Sequence, residues 1–152
     1  MQRKTTEKNM PDKTDELLKL LLSAKDIPAL KKYTDELDHA ALSVTFPEYL
    51  NRQLLIRHMS AAELISAAQI QRNYGYQILD GRRTPSRDKV IALCLALHLD
   101  IPGTHRALIL TGHGELYAKN RRDSILIFAL EKKLSVQETN ELLHDMGEGI
   151  LA

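Results

Sequence analysis

Apolar residues recur three to four positions apart along most of the chain, the spacing that puts them on one face of an α-helix. Thr14 suits an N-cap, and Leu17, Leu18, Leu20, Leu21 and Leu22 follow it, which predicts a short helix ending near Ala24. Ile27-Pro28 starts a second segment with Leu30, Tyr33 and Leu37 on one face. A helix so rich in leucine needs cover, either from the main body or from a second copy. Residues 14–44 therefore read as an N-terminal helical segment, behind a polar tail over 1–13 that is expected to be disordered.

From Thr45 the pattern changes. Phe46-Pro47-Glu48 has a proline at the first helical position and an acid in the first turn, and Leu50, Leu54 and Leu55 give the inward stripe of a helix up to His58. Ser60 and Glu63 form a capping box, with Met59 and Leu64 spaced as a hydrophobic staple. The helix they open runs to Ala67-Ala68. After a break at Gln69-Ile70, a third helix covers Gln71 to Leu79 and stops at Asp80-Gly81. Ser86 caps a fourth, with Val90, Ile91, Leu93, Cys94 and Leu97 inward. Leu99 to Gly103 breaks that run, and Thr104 opens a fifth helix to Gly112. Beyond Gly114 a helical hairpin is expected. Its first arm is Asn120 to Lys133, with Ile125, Leu126, Phe128, Ala129 and Leu130. Its second opens at a Ser135/Glu138 capping box and carries Leu142, Leu143 and Met146.

Two helices joined by a tight turn, then Gly-Arg-Arg and Thr-Pro-Ser before the next helix, resemble the lambda-repressor-like (xenobiotic-response-element type) helix-turn-helix family. Ser60, Glu63 and Leu64 match its S-x-x-E-L start, Ala68 and Ile70 its turn, and Ile78 the buried position of its recognition helix. Gly81, Arg83, Pro85 and Ser86 match the G-x-R-x-P-S that follows. The stretch from Phe46 to Leu151 more loosely resembles small regulators of that family, with Leu116 to Asp123 on their Leu-Tyr-x-Lys-Asn-Arg-Arg-Asp pattern. The resemblance implies an all-α protein with a five-helix DNA-binding domain over 45–113 and a C-terminal αα-hairpin over 114–152. Two positions depart from the family. Gln69 replaces the usual turn glycine, which requires the backbone to reach φ > 0. Gly75 lies inside the recognition helix, where it permits close backbone approach or makes the helix more yielding.

An α-helix fits the major groove, where amide and guanidinium donors distinguish base edges. The helix 71–79 offers Gln71, Arg72, Asn73, Tyr74, Tyr76 and Gln77. Gln71, Arg72 and Asn73, with Tyr76 and Gln77 behind them, are the expected base readers, and one of the two tyrosines is expected to pack. Arg82, Arg83, Arg87 and Lys89 are expected at phosphates, as is the start of the helix at Ser60. A small domain needs two copies on paired half-sites, so the implied partners are double-stranded DNA and a second copy.

Composition shifts this picture little. With 5% aromatics and no Trp, the balance favours helices. The net charge of +1 is unevenly spread: residues 46–90 carry 7 Lys/Arg against 4 Asp/Glu, while residues 91–152 carry 6 against 8. No apolar run is long enough to span a bilayer, the first residues lack a signal-peptide pattern, and the cytoplasm is the expected compartment. Cys94 reads as a small core residue. His98, His105 and His113 lack ligand spacing, and no phosphate loop or catalytic motif occurs, so neither cofactor, metal nor catalysis is expected. The competing reading is a helical protein-interaction module, adaptor or antitoxin-like, on the same fold.

Overall fold

The computed structural model describes residues 14–39 and 44–152, so the expected tail over 1–13 lies outside the described residues. Among those described there are nine helices and no strand. The chain divides into two units, 1–44 and 45–152.

The first unit holds α1 (Thr14–Leu22) and α2 (Ile27–His39). Asp26 caps α2, its carboxylate accepting from the Ala29 amide at 2.9 Å. No residue of α1 is buried, and Leu18, Leu22 and Ile27 are largely exposed.

The second unit contains α3 (Phe46–Arg57), α4 (Ala61–Ala67), α5 (Arg72–Leu79), α6 (Arg87–Ala96), α7 (Ile101–Leu110), α8 (Arg121–Glu131) and α9 (Val136–Asp145). Its hub is α6. Every residue from Val90 to Leu97 is buried, because this helix is apolar all round and meets α4, α7, α8 and α9. Residues 114–152 thus share one compact unit with 45–113, closing over the hub rather than standing apart.

Four junctions in this unit repeat a single corner: a residue in the left-handed region, an apolar residue, then an N-cap. The left-handed residues are His58, Gln69, His98 and Lys133, at φ 53 to 57. Next come Met59, Ile70, Leu99 and Leu134, whose amides donate to the carbonyls five residues back at 3.0–3.2 Å. Ser60, Gln71, Asp100 and Ser135 then cap the following helices. This is the Schellman closure, which satisfies the last carbonyls of one helix while the next cap satisfies the first amides of another. The turn between α4 and α5 is one instance of it. Gln69 adopts the positive φ that its position requires.

The hairpin is fastened to the hub by a reciprocal clasp. Arg87 makes two hydrogen bonds to Asp123, at 3.0 and 2.9 Å, and Arg122 makes two to Asp88, at 2.9 and 3.1 Å. Each arginine–aspartate pair therefore joins the first turn of α6 to the first turn of α8. Burial opposes both carboxylate charges. The Arg122 bonds and the Ala152 amide at Asp88 outweigh it, as do Arg87 and the Tyr117 amide at Asp123, so both carboxyls lie below the usual aspartate range.

Some expectations are corrected. The helix expected at Thr104 starts at Ile101, because Asp100 caps it through the Gly103 amide (2.8 Å) and Pro102 stands in the first turn, where its missing N–H is not needed. Leu55 is exposed rather than on the buried stripe, and Phe128 and Met146 of the hairpin are exposed as well. Cys94 is fully buried, and burial pushes its thiol up to about 12, so it stays protonated and inert.

Candidate functional site

The residues singled out by the sequence converge on α4, α5 and the loop into α6. The capping box at the start of α4 is complete: Ser60 Oγ accepts from the Glu63 amide at 3.1 Å, and the Glu63 carboxylate accepts from the Ser60 amide at 2.8 Å. That bond to the Ser60 amide holds the Glu63 carboxyl below its ordinary pKa. The Ser60 amide is thereby taken and an anionic side chain occupies the end of α4, while the Ser60 hydroxyl, which accepts, still has its own proton to donate to the phosphate expected there.

Gln71 is the cap of α5 rather than its first turn, with Oε1 accepting from the Tyr74 amide at 2.8 Å. Its amide NH2 remains free to donate outward, because the side chain is exposed. Within α5 the buried residues are Gly75, Ile78 and Leu79. At 100° per residue, Asn73 and Gln77 then fall on the opposite face, with Tyr76 and Tyr74 on its two flanks and Arg72 beside Tyr76 at the helix start. Burial agrees: Arg72 and Asn73 are exposed, while Tyr76 and Gln77 are partly so. Arg72 lies over the Tyr76 ring, 5.8 Å from its centre, and borders an open notch of about 280 Å³ with Ala62, Ile65, Ser66 and Ile70.

Gly75 is where α4 and α5 touch. A Cβ there would stand 2.6–2.8 Å from three side-chain carbons of Ile65, which is itself buried. Of the two explanations offered for this glycine, close approach is the one the packing requires.

The basic residues separate into two kinds. Arg82 is exposed and hydrogen-bonded to Asp80 through Nε at 2.8 Å, a mutual pairing that lowers the aspartate pKa and raises the arginine's. Arg87 is spent on structure, and its expected phosphate role is corrected. Four of its hydrogen bonds go to Asp123 and to the carbonyls of Gly114 and Glu115, which leaves little of its fork for a ligand. Arg72, Arg83 and Lys89, by contrast, have no acidic partner among the described residues. Arg83 and Lys89 both lie over the Tyr74 ring, at 5.9 and 5.6 Å. The sequence placed Tyr74 on the right helix but gave no sign of this junction, since the three residues come from α5, a loop and α6.

No family model, curated protein or solved structure matches the chain. Among the described residues no group of His, Cys, Asp and Glu is placed to hold a metal ion, and no helix is long and apolar enough to cross a membrane. His113 is engaged structurally, with Nε2 2.9 Å from the Pro85 carbonyl. What the surface presents is a row of amide, phenol and guanidinium groups on α5, bordered by cations without counter-charges.

Proposed function

We propose that the chain is a sequence-specific DNA-binding regulator of transcription, acting by binding rather than catalysis, on a lambda-repressor-like helix-turn-helix arrangement over 45–113. The observation that carries this reading is the outward face of α5. Asn73 and Gln77 lie opposite the buried Gly75, Ile78 and Leu79, with Tyr76 on the flank and Arg72 beside it at the helix start. Inserted in a major groove, Arg72 suits guanine, and Asn73 or Gln77 adenine, with Gln71 donating through its free NH2. Arg83 and Lys89, and Arg82 on exchanging Asp80 for a phosphate, flank that helix as backbone contacts. The working form is a cytoplasmic homodimer on paired half-sites, because one such unit contributes a small contact surface.

Selection of bound duplexes from a random pool tests the reading and reports half-site spacing at once. An Arg72→Ala/Gln77→Ala variant that keeps its helical content is expected to lose binding to the selected site by roughly 10-fold or more per base contact. Unchanged affinity in that variant removes α5 as the reading helix. A second reading, a protein-interaction module, is favoured by the exposed Leu18, Leu22 and Ile27 of the first unit. Affinity for DNA that does not fall with salt would favour it.

A further inference from the structure

We infer that Tyr74 is a positioning residue, whose ring gathers Arg83 and Lys89 into one cationic node for the phosphodiester backbone of DNA. This rests on the DNA-binding reading above and assigns a role to a residue outside the base-reading face.

Like charges brought together repel, and proteins ordinarily offset such a cost with acids. This chain does so elsewhere, since Arg82, Arg87, Arg121 and Arg122 each face a carboxylate at 2.6–2.9 Å. Arg83 and Lys89 form no such ion pair among the described residues. What both cations share is one phenol ring, each lying over it within 6 Å of its centre. A ring quadrupole attracts a cation without neutralising it. The positive potential of both groups therefore remains available to an anion, while their positions are restricted.

The surroundings fix the node further. Tyr74 is half-buried one turn before the buried Ile78, and its ring comes within 5.6 Å of the Lys89 ammonium from α6. The Arg83 amide donates to the Gln77 carbonyl at 3.1 Å, and the Lys89 amide to the Ser86 hydroxyl at 3.3 Å, so both backbones are tied down. The three side chains come from different segments and meet only in the folded unit. Arg72 on Tyr76 at the other edge of α5 is the same device with one cation.

The test measures affinity of the full chain for a short random-sequence duplex across a salt series. Removing the ring in Tyr74→Leu is expected to weaken binding and to flatten the slope of log K against log salt by about 0.9 for each phosphate that is no longer neutralised. Tyr74→Phe, which keeps the ring, is expected to retain the wild-type slope. Arg83→Gln/Lys89→Gln is expected to flatten it as Tyr74→Leu does, and adding Tyr74→Leu to that pair is expected to change nothing more. A folded Tyr74→Leu chain with the wild-type slope overturns the node. Should Tyr74→Leu fail to fold, the glutamine variants decide. Single losses that exceed the double loss when multiplied support a shared node, and strictly independent losses overturn it. A wild-type chain that binds no duplex at any salt overturns the DNA-binding reading together with the node, whereas binding with unchanged slopes overturns the node alone.

Discussion

Replacing Gly75 by alanine is the sharpest test of how α5 is held. In isolation the change favours a helix by about 1 kcal/mol. Here the new methyl group would lie 2.6, 2.8 and 2.8 Å from Cγ1, Cδ1 and Cγ2 of Ile65. Ordinary carbon contacts are about 3.5–4.0 Å, so each pair is short by roughly 1 Å. Ile65 is 4% exposed and β-branched on a helix, with few rotamers to escape into. An overpacking cost near the upper end of about 1–3 kcal/mol is therefore expected, leaving a net loss of about 2 kcal/mol after the propensity gain. Ile65→Ala alone is expected to cost about 3 kcal/mol. Together the two changes are expected to cost about 2 kcal/mol rather than the sum, because alanine at 65 removes all three clashing atoms and frees the helix propensity gain. Ile65→Val keeps two branches at Cβ, including those closest to the new methyl, and is expected to give no comparable rescue. Urea unfolding of the four combinations reads these values, provided the slopes agree. Gly75→Ala within about 0.5 kcal/mol of wild type, or full rescue by valine, refutes the contact as the reason for glycine.

Other outcomes follow from the clasp and the corners. Arg87→Met is expected to cost about 3 kcal/mol in urea unfolding, because it leaves Asp123, whose side chain is 8% exposed, with a buried charge unpaired. Asp88 and Asp123 have depressed folded pKa values, so their contribution is present above the unfolded value of about 3.9 and is lost as pH falls through the folded one. Stability is therefore expected to drop below about pH 4, less steeply in Asp123→Asn, as followed by helical circular dichroism. Gln69→Gly is expected to raise stability by up to about 1 kcal/mol, since it relieves a side chain at φ 57 in the α4–α5 turn; a loss of stability would mean that the Gln69 side chain contributes contacts of its own.

How much of this was readable in advance depends on the range of each signal. The capping boxes at Ser60/Glu63 and Ser135/Glu138 are local chemistry, spelled within four residues, and both are formed. The stops at Gly81 and Gly112 are local too, and both glycines have positive φ. Pro102-Gly103 misled because a proline reads as a breaker unless the cap before it is recognised, and Asp100 is that cap. Exposure at Leu55 and Phe128 was beyond reach, because a helical period selects a face but not the width of the neighbour covering it. The fate of Arg87 was least legible. Its partners lie 27 to 36 residues away, and nothing near position 87 distinguishes it from Arg83.

That distinction bears on why a chain with net charge +1 can still present a locally cationic surface around α5. Counting charges treats every arginine alike, whereas the fold divides them. Arg87 and Arg122 neutralise the first-turn acids Asp123 and Asp88 in the clasp, and Arg121 faces Glu148 at 2.7 Å. These pairs add almost nothing to the outer field, because each is a close, mutually screened dipole. Arg72, Arg83 and Lys89 have no such partners among the described residues, and they border the same short helix. At the Debye length of about 8 Å in physiological salt, a phosphate near α5 responds to those three and hardly at all to acids on the far side of the unit. In the reading proposed above, this local excess rather than the total charge would set encounter with DNA, since the paired groups cancel one another in both.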